Sequence, residues 1–233
     1  MQLSALKQAV LDANLATVRS GLVMATFGNA SGIDRKAGVV AIKPSGVPYE
    51  TMSAGDMVSV RLDGTVVDNR WRPSSDLDTH LVLYRAFEGI GGVIHTHSTY
   101  ATIFAQAMTP IPCFGTTHAD YFRGEVPVTR HLTETEIAER YVAATGEAIV
   151  EIVGERDPLE VPAVLVAGHG PFVWGATPKD AALNALILEE CARMAWYSLQ
   201  LRPDLPPIPQ ALLDRHFLRK HGKDATYGQA ELT

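Results

Sequence analysis

The chain has 233 residues, 46% hydrophobic and 20% charged, enough apolar material to bury a sizeable core. Its 20 basic and 26 acidic residues give a net charge of −6 with no basic block, which removes the usual electrostatic basis for binding nucleic acid. No stretch approaches about 18 uninterrupted apolar residues, so no membrane partner is expected. The start lacks a basic region followed by an apolar one, and two cysteines, Cys113 and Cys191, are too few for a secreted framework. A cytoplasmic protein with free thiols is expected.

In chain order, Leu3, Leu6, Val10 and Ala13 recur at helical spacing and predict a helix ending near Ser20-Gly21. TFGNASG (26–32) reads as a polar, Gly-bracketed loop, GVVAIK (38–43) as a strand and KPSGVPY (43–49) as a turn. DMVSVRL (56–62) and TVVD (65–68) flank Asp63-Gly64, a strong hairpin signal. A helix starts near Ser74-Ser75, with Leu77, Leu81 and Tyr84 on one stripe. The segment from Gly91 through His97 reads as a buried strand, and STYATIFAQAM (98–108) as a helix. TTHADYFRG (116–124) is a polar turn, and TETEIAERYVAATG (133–146) a helix closed by Gly146. AVLVAGHG (163–170) and PFVWG (171–175) predict two strands. A long helix opens at Thr177, with Pro178 at its first position, and runs to about Leu201. RPDLPPIP (202–209) breaks the chain before a last helix, QALLDRHFLRKH, closed by Gly222. Nothing repeats and no linker divides the chain, so residues 1–233 are expected to form one α/β domain with antiparallel pairing at least at the hairpin.

Two histidines on a buried strand, His95 and His97, would point to the same face, each needing its own partner. A divalent metal satisfies both at once, and AGHGPF offers a third imidazole, His169, between glycines that let the backbone turn sharply. Three imidazoles leave a coordination position open for substrate, as a catalytic rather than a structural site does. In RPSSDLDTH (72–80), the two serines and free N–H groups at a helix start form an anion site, and Asp76 could reach a nearby metal. Lys43, Ser45 and Asn29, set in Gly-containing turns, combine with Ser74 and Ser75 into a phosphate cradle. It is of a different kind from the Walker and dinucleotide loops, whose motifs are absent.

Taken in register, TFGNAS, IKPSGV, PSSD, GGVIHTHS, GTTHADYF, HGPFVWG, LLDRHFLRKHG and YGQ resemble the class II aldolase/epimerase (adducin head-like) superfamily, and within it the L-ribulose-5-phosphate 4-epimerase branch. The resemblance covers nearly the whole chain. It implies a three-layer α/β/α sandwich with a mixed, mostly antiparallel central sheet, assembled as a homotetramer with active sites at subunit boundaries. It also implies a divalent cation, zinc in well-known members, bound by His95, His97, His169 and Asp76. Gly28, Asn29, Lys43, Ser45, Gly46, Ser74 and Ser75 fall where the family holds substrate phosphate, and Thr116 and His216 fall in the shared site. Asp120 matches an acid/base carboxylate, and Tyr227 a second acid/base group donated by a neighbouring subunit. The implied substrate is a phosphorylated pentulose, L-ribulose 5-phosphate, interconverted with D-xylulose 5-phosphate. A fuculose- or rhamnulose-phosphate type aldolase is the alternative, but that branch carries Glu after the paired serines, where this chain has Asp76. An adducin-like interaction domain would lack the metal histidines.

Overall fold

The computed structural model describes residues 3–68, 70–223 and 225–226. Helix α1 (Leu3–Arg19) leads into strands β1 (Asn29–Asp34), β2 (Val39–Ile42), β3 (Val58–Arg61) and β4 (Val66–Asp68). Then come α2 (Leu77–Ala86), β5 (Gly92–His95), α3 (Thr99–Gln106), the single turn α4 (Thr116–Ala119) and α5 (Glu134–Val153). Strands β6 (Ala163–Val166) and β7 (Gly170–Gly175) precede α6 (Pro178–Leu201) and α7 (Gln210–His221). No helix among the described residues is long and apolar enough to cross a membrane.

The seven strands form one sheet in the order β4-β3-β2-β1-β5-β7-β6, and each neighbouring pair is antiparallel. The mixed sheet implied by the resemblance reduces, among the described residues, to one isolated parallel bridge, Val128–Leu165, outside the pairing of named strands. Strands β5, β6 and β7 are buried on both faces, so successive side chains enter two separate cores. Ile94, Leu165 and Val173 join residues of α1, α3 and α6 on one side. Val93, Val164, Phe172 and Trp174 join residues of α2 and α5 on the other. These are the three layers, α1/α3/α6, sheet, and α2/α5. Cys113 and Cys191 are buried free thiols, as expected.

Several elements differ from their sequence reading. The TFGNASG segment is a loop only as far as Gly28; from Asn29 it is β1, the middle strand of the sheet, with every residue buried. Gly146 does not end a helix, because α5 continues to Val153 and is closed by Gly154. A Cβ at Gly146 would lie 2.7 Å from Cβ of Val82 and 3.1 Å from the Thr79 carbonyl, so this glycine is where α2 and α5 press together. α5 is also broken at Arg140, whose φ of −153° is not helical. The N-cap position before α2 is Asp76 rather than either serine, and its side chain makes no capping bond. The 116–124 segment contains a helical turn, with Asp120 at its C-terminal end. The hairpin loop spans four residues, 62–65, with Gly64 at φ +90°.

α6 begins directly on the sheet backbone. A Cβ on Gly92 would fall 2.4 Å from Cα of Pro178, and one on Gly175 2.7 Å from the Ala181 nitrogen. Only glycine permits that approach, because the obstructing atoms are main chain and have nowhere to move.

Candidate active site

Register places the start of β1 against the end of β5, pairing Asn29 with His95, and pairs His95 with Phe172 at the start of β7. Asn29 and Ser31 point to the α2/α5 side, because Ile33 on the same face of β1 belongs to that core. His95 shares the face of Val93 for the same reason, and its ring stacks on Phe172 with centroids 4.3 Å apart. His97 lies two residues beyond the strand end, where the Thr96 amide still donates to the Pro171 carbonyl at 3.4 Å. His169 sits in the turn before β7. Gly170 allows this, since a Cβ there would lie 2.7 Å from the Thr96 carbonyl.

The three imidazoles converge. The His97 Nε2 lies 3.0 Å from His95 Nε2 and 3.1 Å from His169 Nε2. Nitrogens at ~2.0–2.1 Å from a tetrahedral zinc are ~3.3 Å apart, so the spacing suits a transition ion with little adjustment. His95 Nδ1 is 3.0 Å from the Pro171 carbonyl, which can only accept, so Nδ1 carries the proton and the Nε2 lone pair faces its neighbours. Burial holds all three histidines below their ordinary pKa and hence neutral, the form that ligates; the Asp76 charge opposes this at His97 and His169. The donor set therefore fits a divalent transition metal. Asp76 lines the same cavity, and its Oδ2 accepts from Asn29 Nδ2 at 2.6 Å. The close three-nitrogen cluster does not include it.

The cavity, about 340 Å³, runs from the histidines to Lys43, Ser45, Gly46, Ser74, Ser75, Asn29 and Gly28. Two backbone bonds pin its walls together, Ser45 N to the Arg72 carbonyl and Ser74 N to the Lys43 carbonyl, both 2.9 Å. Gly28 adopts φ +79° against the His95 carbonyl, and Gly46 φ +68°. Lys43 is 2% exposed; its Nζ donates to the main-chain oxygens of Thr26 at 3.3 Å and Pro44 at 3.4 Å and lies over the Tyr49 ring, 4.7 Å from its centroid. Burial lowers its pKa, because an ammonium there lacks solvent. A phosphate in this cavity would supply the missing counter-charge.

A second cluster lies apart from this cavity. Asp120 accepts from His216 Nδ1 at 3.0 Å and from the Arg219 guanidinium at 2.9–3.2 Å, while His221 donates to the Asp120 carbonyl at 2.9 Å. Burial works to raise the Asp120 pKa, but the Arg219 and His216 bonds outweigh it and hold the carboxyl below its usual range. Thr116 heads the same turn and accepts the Asp120 amide through its carbonyl at 2.9 Å. Thus Asp120, His216 and Thr116 meet one another but do not line the cavity of the three histidines. Tyr227 lies outside the described residues.

Sequence reading passed over Arg219, Tyr141 and His80. Tyr141, just after the break in α5, holds its hydroxyl 3.4 Å from His169 Nδ1. His80 is fully buried one turn after Asp76, and its pKa is pushed down to about 3. Its signal was the Asp76/His80 spacing of four, which places both on one helix face.

The buried histidines predict acid lability. A histidine kept neutral inside, yet free to protonate when unfolded, costs stability below its ordinary value of 6.5 until the folded value is reached, about 3 for His80 and about 4 for His118. Native stability of the metal-free chain should therefore fall as pH drops from 6.5 toward 4, by about 1 kcal/mol per pH unit for each such histidine. Urea denaturation across that window measures it, and a flat midpoint would contradict it.

Comparison with known proteins now adds to the geometry. Over 224 residues, 96% of this chain and 98% of the relative, the sequence is 54% identical to "L-ribulose-5-phosphate 4-epimerase UlaF" of Salmonella paratyphi A, and equally to that of Salmonella typhi. A solved L-fuculose 1-phosphate aldolase superposes with TM-score 0.78 at 25% identity, covering 91% of this chain and 94% of the other. YgbL of Klebsiella pneumoniae, titled a putative aldolase/epimerase/decarboxylase, shares the fold at TM-score 0.74 and 22% identity, over 92% of this chain and 99% of its own. Residues 8–196 match the description "Class II Aldolase and Adducin N-terminal domain", and with that match over most of its length the chain, whose three converging imidazoles line one cavity, belongs to that family.

Proposed function

We propose that this chain is a metal-dependent epimerase that interconverts L-ribulose 5-phosphate and D-xylulose 5-phosphate. The observation that carries the reading is the single cavity joining His95, His97 and His169 to the Lys43 cradle. It offers a site for a metal and a site for a phosphate at the two ends of one small sugar. Full-length identity of 54% to proteins named for that reaction supports it.

C4 of the substrate bears no acidic proton, so inversion there proceeds by breaking and remaking the C3–C4 bond. A base takes the C4 hydroxyl proton and the bond pair passes to the ketone side, leaving glycolaldehyde phosphate and the enediolate of dihydroxyacetone. The three imidazoles, with Asp76 as a further ligand, would hold a divalent cation (zinc in this reading), which would supply positive charge toward that enediolate. Lys43, Asn29, Ser45, Ser74 and Ser75, with the backbone at Gly28 and Gly46, hold the phosphate while the aldehyde turns over. The other face is then attacked, and an acid protonates the new alkoxide.

Two proton-handling groups on opposite sides are needed, and Asp120 and Tyr227 fill those roles. His216 and Arg219 keep Asp120 ionised and oriented, which suits a proton acceptor. Because Asp120 does not line the metal cavity of its own chain, the reading includes a homo-oligomer, a tetramer, in which the two clusters meet across a boundary. Cytoplasmic location belongs to the same reading.

A coupled assay converting L-ribulose 5-phosphate to D-xylulose 5-phosphate is the test. Steady release of free glycolaldehyde phosphate without epimerised product would favour the aldolase alternative.

A further inference from the structure

Among the described residues, Asn29 Oδ1 and His80 Nε2 are buried beside the site with no hydrogen-bond partner, a costly condition that calls for an account. They belong to two adjacent rungs between β1 and α2. Asn29 Nδ2 donates to Asp76 Oδ2 at 2.6 Å, and Ser31 Oγ lies 2.7 Å from His80 Nδ1. Asn29 and Ser31 share one face of a strand, while Asp76 and His80 are one helical turn apart, so the rungs stack at ~5–7 Å.

The proton order in the second rung can be worked out. Tyr84 has no exposed surface, and its hydroxyl oxygen lies 2.8 Å from Ser31 Oγ. If the tyrosine donates to Ser31 and the serine donates to His80 Nδ1, a single group is left over, the His80 Nε2–H. The reverse order would strand the tyrosine hydrogen as well as the Nε2 lone pair. The first order is therefore preferred, and His80 presents a donor beside a rung that carries an unfilled acceptor.

We propose that His80 is a positioning residue of the active site, whose Nε2–H, through one buried water, holds the Asn29 amide oxygen and so fixes the Asn29–Asp76 pair beside the histidine cluster. A water fits because it gains a donor from His80 and an acceptor in Asn29, with the Asp76 carboxylate as a third neighbour. The His80 ring meets Phe172 edge-on with centroids 5.9 Å apart, and Phe172 in turn stacks on His95 at 4.3 Å, which places His80 next to the ligand shell without joining it. The Tyr84–Ser31–His80 chain thus anchors the cavity wall from the α2 core.

The metal arm of the test rests on the proposed metal site; the tautomer arm does not. Nitrogen-15 NMR of the metal-free chain should show His80 protonated at Nε2, with a slowly exchanging N–H; protonation at Nδ1 overturns the proposal. Zinc alone, titrated into metal-free protein against a chromophoric chelator, should bind His80→Leu about ten- to a hundredfold more weakly, and His80→Gln, which keeps a donor, should recover most of that loss. If both variants bind zinc as the unmodified chain does and differ only in denaturation midpoint, His80 is structural and the proposal fails. Should His80→Leu not fold, Ser31→Ala decides: losing the Nδ1 partner should mix the tautomers and weaken zinc binding about tenfold, and unchanged zinc binding refutes the role. If the unmodified chain binds no zinc, the functional reading fails and the tautomer alone judges His80.

Discussion

Replacing His97 by Ala should abolish both metal content and turnover while leaving the fold intact. His97 Nε2 is the nitrogen that stands within 3.1 Å of both other imidazoles, so its loss removes the shared vertex of the cluster. The side chain is partly exposed at the cavity, and among the described residues its one ring contact outside the triad is a stack on Phe27 at 5.9 Å, so little core packing is lost. After dialysis, elemental analysis should find about one equivalent of transition metal in the unmodified protein and a small residue in His97→Ala. Epimerase turnover should fall by at least ~10²–10³, the scale of losing the charge that stabilises a developing oxyanion. If the variant keeps its metal and turns over normally, the site is misassigned.

The second large effect concerns the two proton-handling groups. Asp120→Asn and Tyr227→Phe should each lower turnover by ~10²–10⁴ with metal content unchanged, because each deletes a proton-transfer group and no ligand. In one chain Asp120 sits with His216 and Arg219, away from the cavity of the three histidines. Mixing the two inactive variants should therefore restore activity at interfaces that pair an intact Asp120 with an intact Tyr227. If mixed oligomers form, as native mass spectrometry would show, and no activity returns, Asp120 and Tyr227 act from one and the same chain, and the reading that Tyr227 is donated by a neighbour of the Asp120 chain fails.

How much of this was readable in advance depended on whether a residue's reason lay nearby in the chain. The helices at 3–19 and 178–201 carried apolar spacing and caps, and the histidine pair announced itself by spacing alone. β1 did not. Its sequence, NASGID, is what turns are made of, yet it is the middle strand. Two of its polar side chains are met individually from α2 and its N-cap, Asn29 by Asp76 and Ser31 by His80 and Tyr84, while Asp34 accepts the Lys36 and Ala37 amides of the following turn. Gly32 is required because a Cβ would lie 2.7 Å from Pro178 on the other face. Strand propensity was overridden by partners ~50 to 150 residues away, which no local window contains. Gly146 misled in the opposite sense, resembling a helix stop when its function is contact with Val82. Tyr227 carried no local signal and was placed by resemblance alone.

The glycines beneath α6 bear on how variants of this protein should be interpreted. Gly92 lies on the strand that ends at His95, and α6 rests on its main chain. A larger residue there would push the strand and helix apart and carry His95 with it. Such a change would surface in an activity screen beside true ligand losses, although Gly92 offers no side chain to metal or sugar. A silent enzyme altered at Gly92 or Gly175 reports a displaced scaffold, and its heat stability, more than its kinetics, tells the two cases apart.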